Sequence, residues 1–190
     1  MLSSLSSRRR FLDLTEQEVL ALAISSEEDD AQIYRGFAQR LRADYPASAA
    51  VFDGMAVEED DHRRRLIELH RERFGEVIPL IRREHVAGYY ARRPVWLSAN
   101  LSLDTIRGEV RAMEQQGADF YTRAAGRTED AGTRKLLGDL AAAEAGHARM
   151  AGALEAEHLG EDERNEEDAV AKRQFILTWV QPGLAGLMDG

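Results

Sequence analysis

The chain has 190 residues, enough for one domain with a sizeable buried core. Hydrophobic residues make up 44% of the sequence and charged residues 31%, a composition typical of soluble, ordered proteins. A formal net charge of -9 argues against nucleic acid as a partner, because the phosphate backbone attracts basic surfaces. Since the sequence contains no cysteine, disulfides, zinc–thiolate sites and thiol catalysis are excluded.

The pattern of apolar residues predicts an all-α fold, because helical periodicity dominates and strand patterns are nearly absent. A capping-box pattern opens the first helix, with Thr15 followed three residues later by Glu18. Pro46 suits the first turn of the second helix. The four long predicted helices span about 15–43, 46–74, 102–125 and 129–158, and a short C-terminal helix spans about 161–180.

The connections between the predicted helices differ in length. Only a few residues join the first two helices and the last two, so each pair should form an antiparallel hairpin. A longer crossover, residues 75–101, joins the two hairpins. This arrangement resembles the ferritin-like four-helix bundle, which has one long crossover connection. We therefore expect such a bundle at 15–160, a flexible N-terminus at 1–14 and a C-terminal segment at 161–190.

Each long helix carries a glutamate near the middle of its apolar stripe. In the first and third helices a tyrosine follows this glutamate by seven residues, and in the second and fourth a histidine follows it by three. The pairs are Glu27 and Tyr34, Glu59 and His62, Glu114 and Tyr121, and Glu144 and His147. Because the two halves repeat the same order, the sequence indicates a duplicated helical hairpin. A third Glu-x-x-His match, Glu155 to His158, has no partner and is interpreted as a chance occurrence.

Four carboxylates and two imidazoles cannot meet in a bundle core without compensation, since each buried, unpaired charge costs several kcal/mol. Two divalent cations would balance the four negative charges. Oxygen ligands with one imidazole per metal suit iron, with manganese as the alternative. A glutamate on each of two helices and a Glu-x-x-His on each of the other two is the known di-iron carboxylate arrangement. The predicted metal ligands are Glu27, Glu59, His62, Glu114, Glu144 and His147.

These motifs resemble the rubrerythrin branch of the ferritin-like superfamily over about residues 15–158. The resemblance implies that Tyr34 and Tyr121 hydrogen-bond to ligand carboxylates across the bundle. Two features differ from the family pattern. Gly117 stands where rubrerythrins usually carry a further glutamate, and the chain lacks the cysteine-rich module that often delivers electrons.

The C-terminal sequence FILTWVQPGLAGLMDG begins with apolar residues. It resembles the junction in membrane-bound ferritin proteins, where a rubrerythrin-like domain precedes a membrane domain similar to vacuolar iron transporters. This resemblance implies a soluble domain at the cytoplasmic face of the inner membrane, with its own transport domain as partner in a chain continuing past Gly190. Similar domains often form dimers, so a homodimer is also expected.

Three functions remain open at this point. The first is an iron-binding domain of a membrane iron exporter, which collects and in one version oxidises cytosolic ferrous iron. The second is a stand-alone ferroxidase or peroxidase that uses an external reductant. The third is a helical interaction module whose metal is structural. We expect His70, His85 and His158 to lie at the surface, and the acidic neighbours of the ligands, such as Glu58, to be mostly solvated.

Overall fold

The structure is a computed structural model that describes residues 8–43, 45–87 and 103–156. It is mostly helical, and its long helices pack as two hairpins, α1 against α2 and α3 against α4. The four helices are α1 at Glu16–Leu41, α2 at Pro46–Phe74, α3 at Leu103–Ala125 and α4 at Ala131–Ala156. The prediction of a four-helix, ferritin-like bundle is confirmed.

The ends of the first hairpin follow local sequence signals. The backbone N–H of Glu18 donates to Thr15 Oγ1 at 3.2 Å, and the Thr15 N–H donates to Glu18 Oε2 at 2.9 Å, which confirms the capping box. Pro46 is the first residue of α2, where its missing N–H leaves no helical bond unmade. The helix ends before Gly75, whose φ of 83° lies in the left-handed region that favours glycine.

Helix α4 begins two residues later than the sequence predicted. Asp130 Oδ1 accepts a hydrogen bond of 2.7 Å from the backbone N–H of Thr133, so Asp130 caps the helix from outside. The observed start at Ala131 lies two residues from the predicted one at about 129, because the Asp130 carboxylate accepts from the free N–H groups of the first turn.

The core consists of two apolar clusters with a polar layer between them. On α1, Leu20 and Ile24 belong to the first cluster, whereas Ile33 and Phe37 belong to the second. On α2 and α3, apolar residues likewise leave a gap near the middle of the helix, and the α4 members of the first cluster end before Glu144. Glu27 lies in this gap on α1. The apolar stripes thus hold the helices together on both sides of the layer where the predicted ligands lie.

Of the terminus expected to be flexible at 1–14, residues 8–14 are packed against the bundle, and residues 1–7 lie outside the described part of the chain. Within residues 8–14, Arg9–Arg10 form a short strand, β1, that pairs in parallel with β2 at Val86–Ala87. Phe11 is buried, and its ring meets Phe120 edge-on at a centroid distance of 5.8 Å. Arg127 donates to the Phe11 carbonyl oxygen at 2.7 Å. Residues 8–14 therefore close one end of the bundle, because Phe11 supplies apolar surface that this end would otherwise expose.

The described part of the crossover is tied to α1. Arg83 is only 8% exposed, and its Nη2 donates to Ser26 O at 2.9 Å and to Asp30 Oδ1 at 2.8 Å. The Ser25 hydroxyl donates to Ile81 O at 3.0 Å. The rest of the predicted crossover and the predicted C-terminal helix lie outside the described residues. Across the described ranges, no helix combines the length and apolar character that crossing a bilayer requires.

Candidate metal centre

All six predicted ligands lie in the polar layer between the two apolar clusters. Their exposed fractions range from 0% to 6%. Helices α1 and α3 each contribute one glutamate, and α2 and α4 each contribute a glutamate and a histidine three residues apart. Side chains at this spacing share one helix face, so each helix turns its polar groups toward the same point. The residues are Glu27, Glu59, His62, Glu114, Glu144 and His147.

The six side chains form two overlapping groups of four. Within each group, one potential ligand atom from every residue lies within 4.8 Å of the others. Glu59 and Glu144 belong to both groups. The first group is Glu27, Glu59, His62 and Glu144, and the second is Glu59, Glu114, Glu144 and His147. Two neighbouring positions that share two carboxylates are the geometry of a two-ion site with bridging carboxylates.

Two buried tyrosines donate hydrogen bonds to Glu27 and Glu114, the unshared glutamates, each of which belongs to only one group of four. Tyr34 on α1 donates a hydrogen bond to Glu114 on α3, and Tyr121 on α3 donates to Glu27 on α1. Burial raises the pKa of the Tyr34 phenol well above its ordinary value, and the nearby charge of Glu114 adds to this effect. The Tyr34 phenol therefore stays protonated at neutral pH and remains a hydrogen-bond donor.

The four carboxyl groups divide into two classes. For Glu27, burial favours the neutral form, but interactions with Glu59 and His62 outweigh it and lower the pKa to about 2. Burial likewise opposes the lowered pKa of Glu114, which follows from the positive charge of His147. Burial and neighbouring carboxylates raise the pKa of Glu59 and of Glu144 well above the ordinary value. Glu27 and Glu114 are thus ionised at neutral pH, whereas the environment of the two shared carboxyls favours their protonated form.

Both histidines face carboxylates. His62 Nδ1 lies 3.3 Å from Glu59 Oε2 and 3.5 Å from Glu144 Oε1. Burial alone would lower the pKa of His62, but its contacts with Glu144 and Glu27 raise it to about 10. The rings of His62 and His147 stack at a centroid distance of 6.5 Å and an angle of 18°. The protonated form that these contacts favour on both imidazoles places positive charge next to the ionised Glu27 and Glu114 carboxylates.

One residue in contact with this layer was missed by the sequence analysis. Glu58, expected to be mostly solvated, places Oε2 2.9 Å from Nε2 of His147. The other ring nitrogen of His147, Nδ1, lies 3.1 Å from Glu114 Oε2. The sequence offered one indication of this contact, because Glu58 directly precedes Glu59 and so lies beside the face of α2 that carries Glu59. Its contact with α4 depends on how the two hairpins pack, which spacing along one helix does not define.

Neither His70 nor His85 joins the layer. His85 is exposed, as expected, and His158 lies outside the described residues. His70 was expected at the surface, but its side chain is 0% exposed and its ring packs against Phe74 at a centroid distance of 5.6 Å. The expectation failed because an imidazole has enough apolar surface to pack in a core when it is neutral. Burial favours that form by lowering the His70 pKa.

Buried carboxylate oxygens that receive no hydrogen bond indicate whether the six residues fit a metal site. Within the described residues, Glu27 Oε2, Glu59 Oε1 and Glu144 Oε1 are buried and accept no hydrogen bond. Each unsatisfied buried acceptor costs about 1–3 kcal/mol, and more when it is charged. All three atoms belong to residues of the two groups of four. Bound cations would satisfy them, so these residues fit a metal site.

The family comparison agrees with this geometry. The family model described as Rubrerythrin matches residues 18–155, which include all six predicted ligands. The chain belongs to the rubrerythrin family. Among solved structures, a hypothetical protein from Pyrococcus furiosus resembles this rubrerythrin domain with a TM-score of 0.63 and 22% sequence identity, over 76% of this chain and 90% of that one. That likeness supports the fold alone. No curated protein matches the chain significantly.

Gly117 on α3 lies close to the Glu144 carboxylate on α4. A Cβ atom built on Gly117 would lie 2.9 Å from Glu144 Oε2 and 3.3 Å from Glu144 Cδ. A heavy-atom contact of 2.9 Å with a carbon is too short to persist, so the carboxylate would have to move. The glycine on α3 therefore makes room for a shared carboxylate on α4.

We expect Gly117→Ala to stabilise the protein prepared without metal and to weaken metal binding. Alanine is favoured over glycine in a helix interior by about 1 kcal/mol, and the flexible end of Glu144 can move at small cost. Urea unfolding of the metal-free protein and a manganese titration would measure the two effects. Gly138 on α4 is the matched control, because a Cβ there meets nothing within 4 Å. Gly138→Ala should give the stabilisation alone, and unchanged binding in Gly117→Ala would contradict the expected displacement.

Proposed function

We propose that this rubrerythrin domain binds two ferrous ions in the buried polar layer. The observation that carries the proposal is the pair of four-residue groups that share Glu59 and Glu144. In this assignment, Glu27 and His62 hold one ion, Glu114 and His147 hold the other, and the shared carboxylates bridge the two. Manganese is the alternative metal, since it prefers the same ligands.

The chemistry of the donors supports iron or manganese. Each group offers three carboxylates and one imidazole, a set that suits hard divalent cations, whereas copper and zinc sites more often use imidazole or sulfur. Four carboxylates also supply the charge that neutralises two divalent ions. The family match supports the same conclusion, because di-iron binding is the property that the rubrerythrin family suggests.

The protein side chains would control how such a centre reacts. Two adjacent ferrous ions supply electrons for the reduction of dioxygen or peroxide. Tyr34 and Tyr121 fix the orientation of Glu114 and Glu27 through their hydrogen bonds. The apolar clusters on both sides limit the entry of water, which strengthens the electrostatic interactions within the layer. The shared carboxyls must release their protons when they bind a cation.

An anaerobic ferrous titration tests the proposal directly. We expect about two ions per chain, followed by saturation. A stoichiometry near zero would rule out the site. Dioxygen added to the loaded protein then separates the remaining alternatives. Rapid oxygen consumption coupled to iron oxidation would support a ferroxidase, whereas tight binding without consumption would support a binding or structural role for the metal.

We further propose that the domain is the soluble part of a homodimeric membrane iron exporter on the cytoplasmic face of the inner membrane. The support is the resemblance of the C-terminal sequence FILTWVQPGLAGLMDG to such a junction. Immunoblots of fractionated native cells would test it. A band well above 21.3 kDa in the membrane fraction is expected, and a 21.3 kDa band confined to the soluble fraction would contradict it.

A further inference from the structure

His147 is held at both ring nitrogens by carboxylates from different helices. Nδ1 lies 3.1 Å from Glu114 on α3, a predicted ligand, and Nε2 lies 2.9 Å from Glu58 on α2. The imidazole is 0% exposed, while the Glu58 side chain is 24% exposed. One ring nitrogen of His147 therefore faces the polar layer, and the other faces the Glu58 carboxylate at the edge of that layer.

The duplicated hairpins do not repeat this contact. Glu58 precedes Glu59 in the first half, and the corresponding residue before Glu144 in the second half is Ala143. An alanine side chain has no atom that can accept a hydrogen bond from His62. The carboxylates in contact with His62 approach its Nδ1, and all of them belong to the two groups of four. The two histidine positions therefore differ chemically, although the Glu-x-x-His motifs are the same.

Histidines that bind metals commonly donate their other ring N–H to a carboxylate, which fixes the tautomer and the orientation of the ring. Glu58 has the position that this role requires, because it contacts the nitrogen of His147 that faces away from Glu114. Its contact also joins α2 of one hairpin to α4 of the other. A shift of either hairpin would therefore change the orientation of His147.

We propose that Glu58 is a positioning residue that directs Nδ1 of His147 toward the metal site and makes the two ion positions unequal in affinity. This inference rests on the proposed function, since it requires metal binding by the polar layer. The position that includes His147 binds its ion through an imidazole whose tautomer is fixed. Among the residues that the structure describes, the position that includes His62 has no carboxylate equivalent to Glu58.

Anaerobic titration calorimetry with Co²⁺ would test the proposal in four proteins. These are the wild type, Glu58→Ala, Glu58→Gln and the control Glu68→Gln, an exposed glutamate on the same helix. We expect Glu58→Ala to weaken the binding of one of the two ions by about 10- to 100-fold and to leave the affinity for the other unchanged. Glu58→Gln should recover part of the loss, because its amide oxygen still accepts a hydrogen bond. Glu68→Gln should match the wild type.

Proton NMR of the cobalt-loaded proteins adds a readout that a general loss of stability would not reproduce. In the wild type, the Nε2–H of His147 should give a paramagnetically shifted signal that exchanges slowly with water. In Glu58→Ala this signal should broaden or disappear, and in Glu58→Gln it should persist.

The outcomes separate this inference from the proposed function. A wild-type protein that binds no cobalt would contradict the metal site itself. If the wild type binds two ions and Glu58→Ala matches Glu68→Gln in both affinity and NMR signal, the positioning role of Glu58 is wrong while the metal site stands. An equal loss of affinity for both ions in Glu58→Ala would also overturn the inference, because the inference assigns the effect of Glu58 to the position that includes His147.

Discussion

Replacement of Glu59 and Glu144 by glutamine is expected to abolish nearly all metal binding and to stabilise the protein prepared without metal. These residues supply the two carboxylates that belong to both groups of four, so their loss affects both ion positions. The two unshared glutamates and the two histidines remain. They can still pair their charges, because the shared carboxyls are the ones whose protonated, neutral form is favoured.

The expected stabilisation follows from the direction of the pKa shifts. Burial raises the pKa of Glu59 and Glu144 above the ordinary value of 4.5. A carboxyl with a higher pKa in the folded protein lowers stability above its ordinary pKa, because unfolding allows it to ionise. Glutamine cannot ionise and so removes this penalty. The gain should be about 1.4 kcal/mol for each pKa unit by which burial raises the pKa of either carboxyl.

Thermal unfolding with a chelator and with manganese would measure both effects. We expect the Glu59→Gln/Glu144→Gln variant to unfold at a higher temperature than wild type in chelator and to gain nothing from manganese. The matched control replaces two exposed carboxylates on the same helices, as Glu68→Gln/Asp139→Asn. Asp139 forms only a surface ion pair with Lys135, so the control should behave as the wild type does. Two ions bound by the Glu59/Glu144 variant would show that the ligand assignment is wrong.

Metal binding is expected to release protons, and the affinity should therefore rise with pH. Contacts with carboxylates raise the pKa of His62 to about 10 and the pKa of His147 well above its ordinary value, despite burial. The shared carboxyls, Glu59 and Glu144, also have raised pKa values. In all four groups the protonated form is favoured, and a cation binds only the deprotonated forms. Each proton released per ion makes the affinity about tenfold higher for every pH unit.

Calorimetric titration in two buffers with different ionisation enthalpies would count the protons. We expect a clear dependence of the observed heat on the buffer, with a release of up to four protons per chain when two ions bind. Identical heats in both buffers, or an affinity that does not change between pH 6 and pH 8, would contradict the prediction. The Glu59→Gln/Glu144→Gln variant should show no buffer-dependent heat of metal binding.

The same shifts predict how the stability of the metal-free protein depends on pH. A histidine with a raised pKa adds stability that is fully present below its ordinary pKa of 6.5. For His62 this contribution decreases as the pH rises through about 10. Glu27, whose pKa is lowered to about 2, adds stability above pH 4.5 that is lost as the pH falls toward 2. Stability should therefore decline at both extremes of pH.

Much of the bundle could be predicted because its signals are local. The bounds of α2 match the prediction, since Pro46 begins the helix and Gly75 ends it in a conformation that other residues rarely adopt. The convergence of the six polar residues could also be predicted. Carboxylates and imidazoles at helical spacing within apolar stripes have to face the core, where they need one another or a cation.

Features that depend on packing between hairpins could not be predicted in the same way. The contact of Glu58 with His147 joins residues 89 positions apart and requires a particular rotation of α2 against α4. The pairing of β1 with β2 involves two residues on each side, too few to produce an alternating pattern. Burial of His70 depends on whether neighbouring helices cover its face, which helical periodicity does not reveal.

The polar layer that divides the core has a consequence for the amount of protein in a cell. With two ions bound as proposed, the folded form gains free energy from the metal supply, because unfolding would release both. An ion at a hundred times its dissociation constant contributes about 2.7 kcal/mol, and two contribute about twice that. Iron starvation would remove this contribution and expose more of the chain to proteases. The abundance of the domain would then follow iron availability even at a constant rate of synthesis.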